Sequence, residues 1–361
     1  MGNKYAYAQS VRQAVSNRGI PYVFVAVAAA SLTMLLTSSP SPSVLLPPAT
    51  MYMHAHRRAM GSVSNHVPLS STMCKHQYTV TTWDGKQAPV CDPTLCDATP
   101  PLMKPPPKNS PTAARRWTDA NDAAYAAASQ DVVGWLVENQ VRYVRTLTAF
   151  QHSLGIYGAA GEIGVHHGKF FAPIAGNAVV GEPVVAIDLF EAQTENYDLS
   201  GSGSVDNILY PDKLMSLMNK TGIPRADVML VSGNSLTLTA ANFTVARKLP
   251  AWRMLSVDGG HSLETTLHDI NVAACTVRDG GIVIVDDWFN QEWTGVQEAT
   301  CHVAHAMARL VPFMHGQNKI WFTTPSHVVV YGQVARREFG CIGVHESRSN
   351  IGGVSLCLTP N

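Results

Sequence analysis

The 361-residue chain carries no excess charge of either sign: 26 Lys and Arg balance 26 Asp and Glu, and only 14 % of residues are charged. Without a basic field it has no electrostatic footprint for nucleic acid, and no such partner is expected. Its seven cysteines show no paired Cys-x-x-Cys spacing, which argues against zinc and leaves at least one thiol without an intrachain partner. No internal repeat is apparent. The fingerprint Gly-x-Gly-x-x-Gly is absent as well, so no pyrophosphate cradle is announced and a dinucleotide reading is weakened. One stretch, Ile20 to Leu36, has no charged residue; Lys4, Arg12 and Arg18 precede it and no acid does.

That stretch sits at the lower length limit of a spanning helix and the upper limit of a signal-peptide apolar region. The basic flank predicts a cytoplasmic segment 1–19, a signal anchor 20–36 and a translocated remainder. The chain then reads as a single-pass type II membrane protein with its large domain in the lumen of the Golgi or ER. Cleavage near Ser38 and Ser39, giving a secreted protein, and an organelle transit segment are the rivals. Pro40, Pro42, Pro47, Pro48, Pro100, Pro101 and the run Pro105 to Pro107 mark an extended stalk, assigned to 37–115. Cys74, Cys91 and Cys96 allow a small stapled knob within it. Cys91–Cys96 and Cys341–Cys357 are candidate disulfides in a lumen, although spacing does not fix the pairing. Asn219-Lys-Thr221 and Asn242-Phe-Thr244 are glycosylation sequons. The globular domain is placed at 116–340, with a tail at 341–361.

Within the domain, Trp117 to Gln151 is Ala-rich and has no Pro or Gly except Gly134, which predicts one or two leading helices. Leu255-Ser-Val-Asp-Gly-Gly-His261 and Gly281-Ile-Val-Ile-Val-Asp-Asp287 are apolar, β-branched runs that stop at carboxylates, as buried parallel strands do. Leu263, Leu267, Ile270, Ala274 and Val277 between them follow helical spacing, with Ser262 able to cap the start and Gly280 to close the end. The unit is strand, helix, strand, and it brings Asp258, Asp286 and Asp287 to one edge of the sheet. Three acids meeting there require a cation, a substrate or shared protons.

Three further strands are legible: Tyr157 to Val165, Val184 to Asp188 and Val228 to Val231. Gly164 and Gly168 bracket a turn after the first of these, and Lys169 to Ala175 can start a helix. Ile320 to Thr323 and Val328 to Tyr331 are expected to close the domain as a hairpin. Strands ending in a glycine turn, an acid and Asn234-Ser235 form an edge suited to a nucleoside, because glycine lets backbone approach the ligand and the acid can accept both ribose hydroxyls. This serves NAD and S-adenosylmethionine alike.

In order along the chain stand Glu162-Ile-Gly-Val-His-His-Gly168, Ala186-Ile-Asp-Leu-Phe190, Gln193 to Gly203, Gly233-Asn-Ser235, Val257-Asp-Gly-Gly-His261, Asp286-Asp-Trp-Phe-Asn290, Glu292 to Val296 and Asn318-Lys319. Through them the chain resembles class I S-adenosylmethionine-dependent methyltransferases, in particular the family-24 type related to metal-dependent sugar O-methyltransferases. The resemblance covers roughly 120–335. It implies an α/β, Rossmann-like sheet, mostly parallel with a C-terminal antiparallel hairpin, and S-adenosyl-L-methionine as cofactor. Glu162, Gly164 and Gly168 would shape the methionine end, Asp188 would hold the ribose, and Asn234 and Ser235 would border the adenine. Asp258, Asp286 and Asp287 would chelate Mg2+, which takes oxygen ligands and would lower the pKa of the attacked hydroxyl. Competing readings are backbone binding for Glu162, helix capping for Asp188, Asp286 and Asp287, and cofactor binding for Asp258.

Relatives often place an Asp two residues after the first acid; here that position is Gly260, and His261 is the nearest proton acceptor. His166 and His167 read as local hydrogen-bonding residues, and Trp288, Phe289 and Trp293 could stack on a sugar face. The expected activity is O-methylation of a glycan or small hydroxylated metabolite. A metal-dependent hydroxylase of the same fold and a non-catalytic cofactor-binding module are the alternatives. Nothing in the sequence sets the oligomeric state.

Overall fold

Predominantly apolar runs become the central strands because both faces of a parallel sheet are covered by helices. The computed structural model describes residues 77–81, 87–91, 96–106, 117–137, 139–190, 196, 211–306, 309–340, 342–343 and 357–358. Strands β1 (Gln77–Thr81) and β2 (Gln87–Cys91) form an antiparallel pair. Two helices follow, α1 (Asp119–Ala128) and α2 (Asn139–Ser153), as the Ala-rich stretch predicts. Then come β3 (Ala159–Ile163), α3 (Phe171–Gly176), β4 (Val184–Asp188), α4 (Pro211–Lys220) and β5 (Val228–Ser232). The second half runs β6 (Trp252–Val257), α5 (Leu263–Thr276), β7 (Val277–Val285), α6 (Thr294–Ala306), β8 (Val311–Gly316), β9 (Lys319–Thr323) and α7 (Val328–Phe339). Short strands β10 (Ile342–Gly343) and β11 (Cys357–Leu358) complete the order.

Nine of these strands make one sheet in the order β10-β11-β8-β9-β7-β6-β3-β4-β5. β5, β4, β3, β6 and β7 are mutually parallel, and β9 runs antiparallel to both β7 and β8. Strand order reverses between β3 and β6, the switch point outside which an open α/β sheet binds ligand. Side-chain alternation supplies both cores. On β7, Val283 and Val285 pack with Leu267 and Ile270 of α5 and Val296 and Val303 of α6, while Ile282 and Ile284 face Leu147 of α2 and Tyr331 of α7. Burying one such side chain contributes about 1.5–3 kcal/mol.

Four expectations are corrected here. The closing hairpin is β8–β9, and Val328 to Tyr331 opens helix α7. The apolar run looks like a strand, yet Tyr331, Val334, Ala335 and Phe339 are buried at helical spacing while Val329 is 70 % exposed. Gly280 does not end α5; the chain passes directly from Thr276 into β7, and Gly280 lies inside that strand with φ +74°. Cys96 pairs with Cys275 on α5, not with Cys91. The stretch 96–106, placed in the stalk by its prolines, is held to the domain by that bond, by Ala251 N–H donating to Pro101 O at 2.8 Å and by Ala241 N–H donating to Asp97 Oδ1 at 3.0 Å. At the second sequon the Asn242 amide donates to Thr237 O and Thr244 is fully buried.

The segments 1–19 and 20–36, most of the stalk and the Cys341–Cys357 pairing lie outside the described residues. Among the described residues no helix is long and apolar enough to cross a membrane.

Candidate active site

The glycine turn after β3 is shaped by close approach. Gly164 has φ +83°, and a Cβ there would lie 1.8 Å from the Asp258 carbonyl oxygen; one on Gly168, φ +84°, would meet Leu214 at 2.2 Å. Backbone bonds tie neighbouring strand ends together: Gly164 N–H donates to Ile187 O, Asp258 N–H to Ile163 O and Asp286 N–H to Val257 O, at 2.8, 2.8 and 3.0 Å. His166, Phe190 and Asp287, all non-glycine, adopt positive φ just beyond β3, β4 and β7. Such backbone persists where surroundings enforce it and gathers at ligand sites.

Glu162, on β3, is 1 % exposed, and its Oε1 has no hydrogen-bond partner. Burial pushes its carboxyl up to about 8, against the pull of the Lys319 ammonium. Asp188 closes β4, and its two oxygens accept from His166 N at 2.8 Å and Phe190 N at 3.1 Å. Its carboxyl too is raised by burial, with these backbone donors opposing. Asn234 caps the 3-10 turn Ser235–Thr237 through Leu236 N, and Ser235 Oγ donates to the buried Asp269 at 3.0 Å.

The acids after β6 and β7 divide into two groups. Asp286, expected among the metal ligands, accepts from the Lys319 ammonium, from Asn318 Nδ2 and from Asp287 N–H. A buried ammonium is already its counter-charge. Asp258, Asp287 and His261 offer ligand atoms that all lie within 4.8 Å of one another. His261 Nε2 is 3.0 Å from Asp287 Oδ2 and 3.8 Å from Asp258 Oδ1, and the imidazole stacks on Trp293 at 4.6 Å. Burial works to raise the Asp287 carboxyl, but hydrogen bonds from His261, Asn290 and Asn318 outweigh it and hold it below the usual range. Asp258 is driven well above that range by burial and by Asp286 beside it.

Glu162, Gly164, Asp188, Asp258, His261, Asp286 and Asp287 thus meet at the carboxyl edge, with Asn234 and Ser235 beyond β5. Sequence reasoning gave no role to the turn before β9. Asn318 and Lys319 grip the acids from the antiparallel side, and Asn318 O accepts from Trp288 N at 3.0 Å. A polar pair opening an apolar strand was the available signal. Trp135 was also missed; 79 % exposed, it stacks on His166 at 6.2 Å. Trp288 is buried, whereas Phe289 is 65 % exposed.

Residues 162–288 match the family model of a methyltransferase domain. No curated protein matches the chain. Among solved structures it is similar to the O-methyltransferase NovP (16 % identity over 52 % of this chain and 79 % of that one, TM-score 0.42). A putative O-methyltransferase from Klebsiella pneumoniae gives 13 %, 57 %, 90 % and 0.41 in the same terms. A TDP-rhamnose 3'-O-methyltransferase of calicheamicin biosynthesis gives 16 %, 60 %, 96 % and 0.39. The segment 162–288 is identified by the family model as a methyltransferase domain.

Proposed function

We propose that the domain moves the methyl group of S-adenosylmethionine to a hydroxyl of a glycan or other hydroxylated small molecule. One observation carries this reading: the unpartnered, buried Glu162 oxygen shares a strand edge with the Asp258–His261–Asp287 cluster. Glu162 offers an acceptor for the cofactor's ammonium. Asp188, at the end of β4, is placed to accept a ribose hydroxyl beside its backbone donors. His261, oriented by Asp287 and by Trp293, takes the proton of the acceptor hydroxyl, and Asp287 stabilises the imidazolium that results. Transfer then requires the oxygen in line with the sulfonium methyl, so that positioning supplies much of the rate.

Asp258 and Asp287 are the carboxylates suited to Mg2+, which needs only one or two from protein and keeps several waters. When bound, such an ion would lower the pKa of the acceptor hydroxyl. The Cys96–Cys275 disulfide suits an oxidising compartment and supports a lumenal domain behind a membrane anchor at 20–36. Protease digestion of sealed microsomes bearing the full chain tests that placement; digestion without detergent would overturn it.

Gly260 favours a second reading, a binder that has lost its base. Calorimetry with S-adenosylmethionine and labelled-methyl transfer to hydroxylated acceptors, run on wild type and on His261→Asn, separate the two. An enzyme loses turnover and keeps cofactor affinity in the variant. No heat and no thermal protection in the wild type would reject both readings.

A further inference from the structure

Lysine is seldom fully buried unless paired, yet Lys319, first residue of β9, is 2 % exposed. Its ammonium contacts the Asp286 carboxylate and lies 3.8 Å from Asp258 Oδ2. On its other side it stands 4.3 Å from the centre of the Phe170 ring. Phe170 comes two residues after Gly168 and precedes α3, so it belongs to the glycine turn, not to the acids. Asp258 meets that turn through its backbone, since its carbonyl occupies the space a Gly164 Cβ would need. One ammonium therefore touches both halves of the site.

Two carboxylates this close repel unless a cation stands between them, and a buried ammonium must be repaid for its lost water by such partners. Lysine's compact charge with three donors can serve two acids and still lie over a ring face. We propose that the Lys319 ammonium is the resident cation that holds the acid rim against the cofactor turn, so that S-adenosylmethionine binds without a divalent ion. Lys319 is a positioning residue acting through Asp258, Asp286 and Phe170. The proposal rests on the cofactor reading above, and it leaves a divalent ion at Asp258 and Asp287 a part only in activating the acceptor.

The test is calorimetric titration of S-adenosylmethionine into the full chain stripped with EDTA, repeated with excess Mg2+. Wild type is expected to bind in EDTA, with Mg2+ changing the affinity by less than about twofold. Lys319→Met should weaken binding on the order of tenfold or more, and Lys319→Arg, which keeps the charge, should weaken it less. In an Asp286→Asn background, where one acid no longer needs neutralising, removing the ammonium should cost less than about threefold. If Lys319→Met does not fold, recovery of folding and binding in Lys319→Met/Asp286→Asn supports the proposal, and a double variant that folds without binding overturns it. Undiminished binding by Lys319→Met, an equal loss in both backgrounds, or wild-type binding that appears only with Mg2+ would also overturn it. Wild type that binds under neither condition refutes the cofactor reading itself.

Discussion

Strand β6 has a buried ionic network at each end, and each includes a buried glutamate. At its start, Arg253 donates to Glu182 at 2.9 Å and to Thr148 and Gln151 at 3.1 and 2.9 Å. Glu182 also accepts from Gly158 N and Val179 N, and His152 stands 3.1 Å away. Burial alone would raise its carboxyl; Arg253 and the other donors reverse this and pull it down to about 2. At the far end Glu162, just as buried, keeps an oxygen without a donor and is pushed up to about 8. The residue type and burial are the same; the supply of donors differs, and the neighbouring Asp286 and Asp188 carboxylates raise Glu162 further. A carboxylate whose partners the protein provides is scaffold; one left wanting marks where a ligand must finish the set.

Removing Arg253 is the severest way to test that contrast. Arg253→Met leaves the buried Glu182 with its backbone donors and His152 but without its guanidinium counter-charge, and we expect a loss of about 3–5 kcal/mol in urea unfolding. Cofactor affinity of the folded fraction should not move, because the network lies at the wrong end of the strand. The Glu182 carboxyl titrates below its ordinary 4.5 in the folded state, so its contribution is present above that pH and is lost as pH falls toward 2. Wild type should therefore lose stability across this window more steeply than the variant. Equal slopes would show that Arg253 does not set the titration of Glu182.

At the ligand end, Gly164→Ala combines a positive φ with a Cβ 1.8 Å from backbone oxygen. It should cost roughly 2–3 kcal/mol and abolish binding of S-adenosylmethionine. An alanine variant with unchanged affinity would mean that the turn does not touch the cofactor.

The sequence makes one end far more legible than the other. Strand-terminal acids and glycines announce the carboxyl edge, since a β-branched run that stops dead at Asp258 or Asp286 is the local signature of a buried parallel strand leaving its sheet. The opposite network is silent, because Glu182 and Arg253 are separated by 71 residues and either alone looks like surface charge. Asn318-Lys319 is visible as a motif, but the partners of Lys319 are hidden for a related reason: they arrive from β6 and β7 through the antiparallel β7–β9 pairing, which local pattern does not reveal. Val328 to Tyr331 misleads through local propensity, which tertiary burial overrides. The Cys96–Cys275 bond, spanning 179 residues, lies beyond any spacing rule.

Glu162→Gln sharpens the comparison from the other side. The folded carboxyl sits at about 8 against an ordinary 4.5, so the fold favours its neutral form. Stability is full below 4.5 and declines as pH rises through 8. Glutamine mimics the neutral form and removes that decline, so the ligand-free variant should be more stable at pH 8 by about 1–2 kcal/mol while binding the cofactor more weakly. A variant less stable than wild type at pH 8 would place Glu162 with Glu182, as scaffold.

Ser262 gives the mildest test and the sharpest boundary, for it follows His261 directly yet serves the helix. Its Oγ accepts from Thr265 N at 3.2 Å, supplying one of the donors at the start of α5 with a partner. Ser262→Ala should cost about 1 kcal/mol, and because the Asp258 backbone is held by β3 and not by that cap, cofactor affinity should stay within about twofold. If affinity fell in step with stability, scaffold and site would not be separable at this edge, and the division drawn between the two ends of β6 would fail where it matters most.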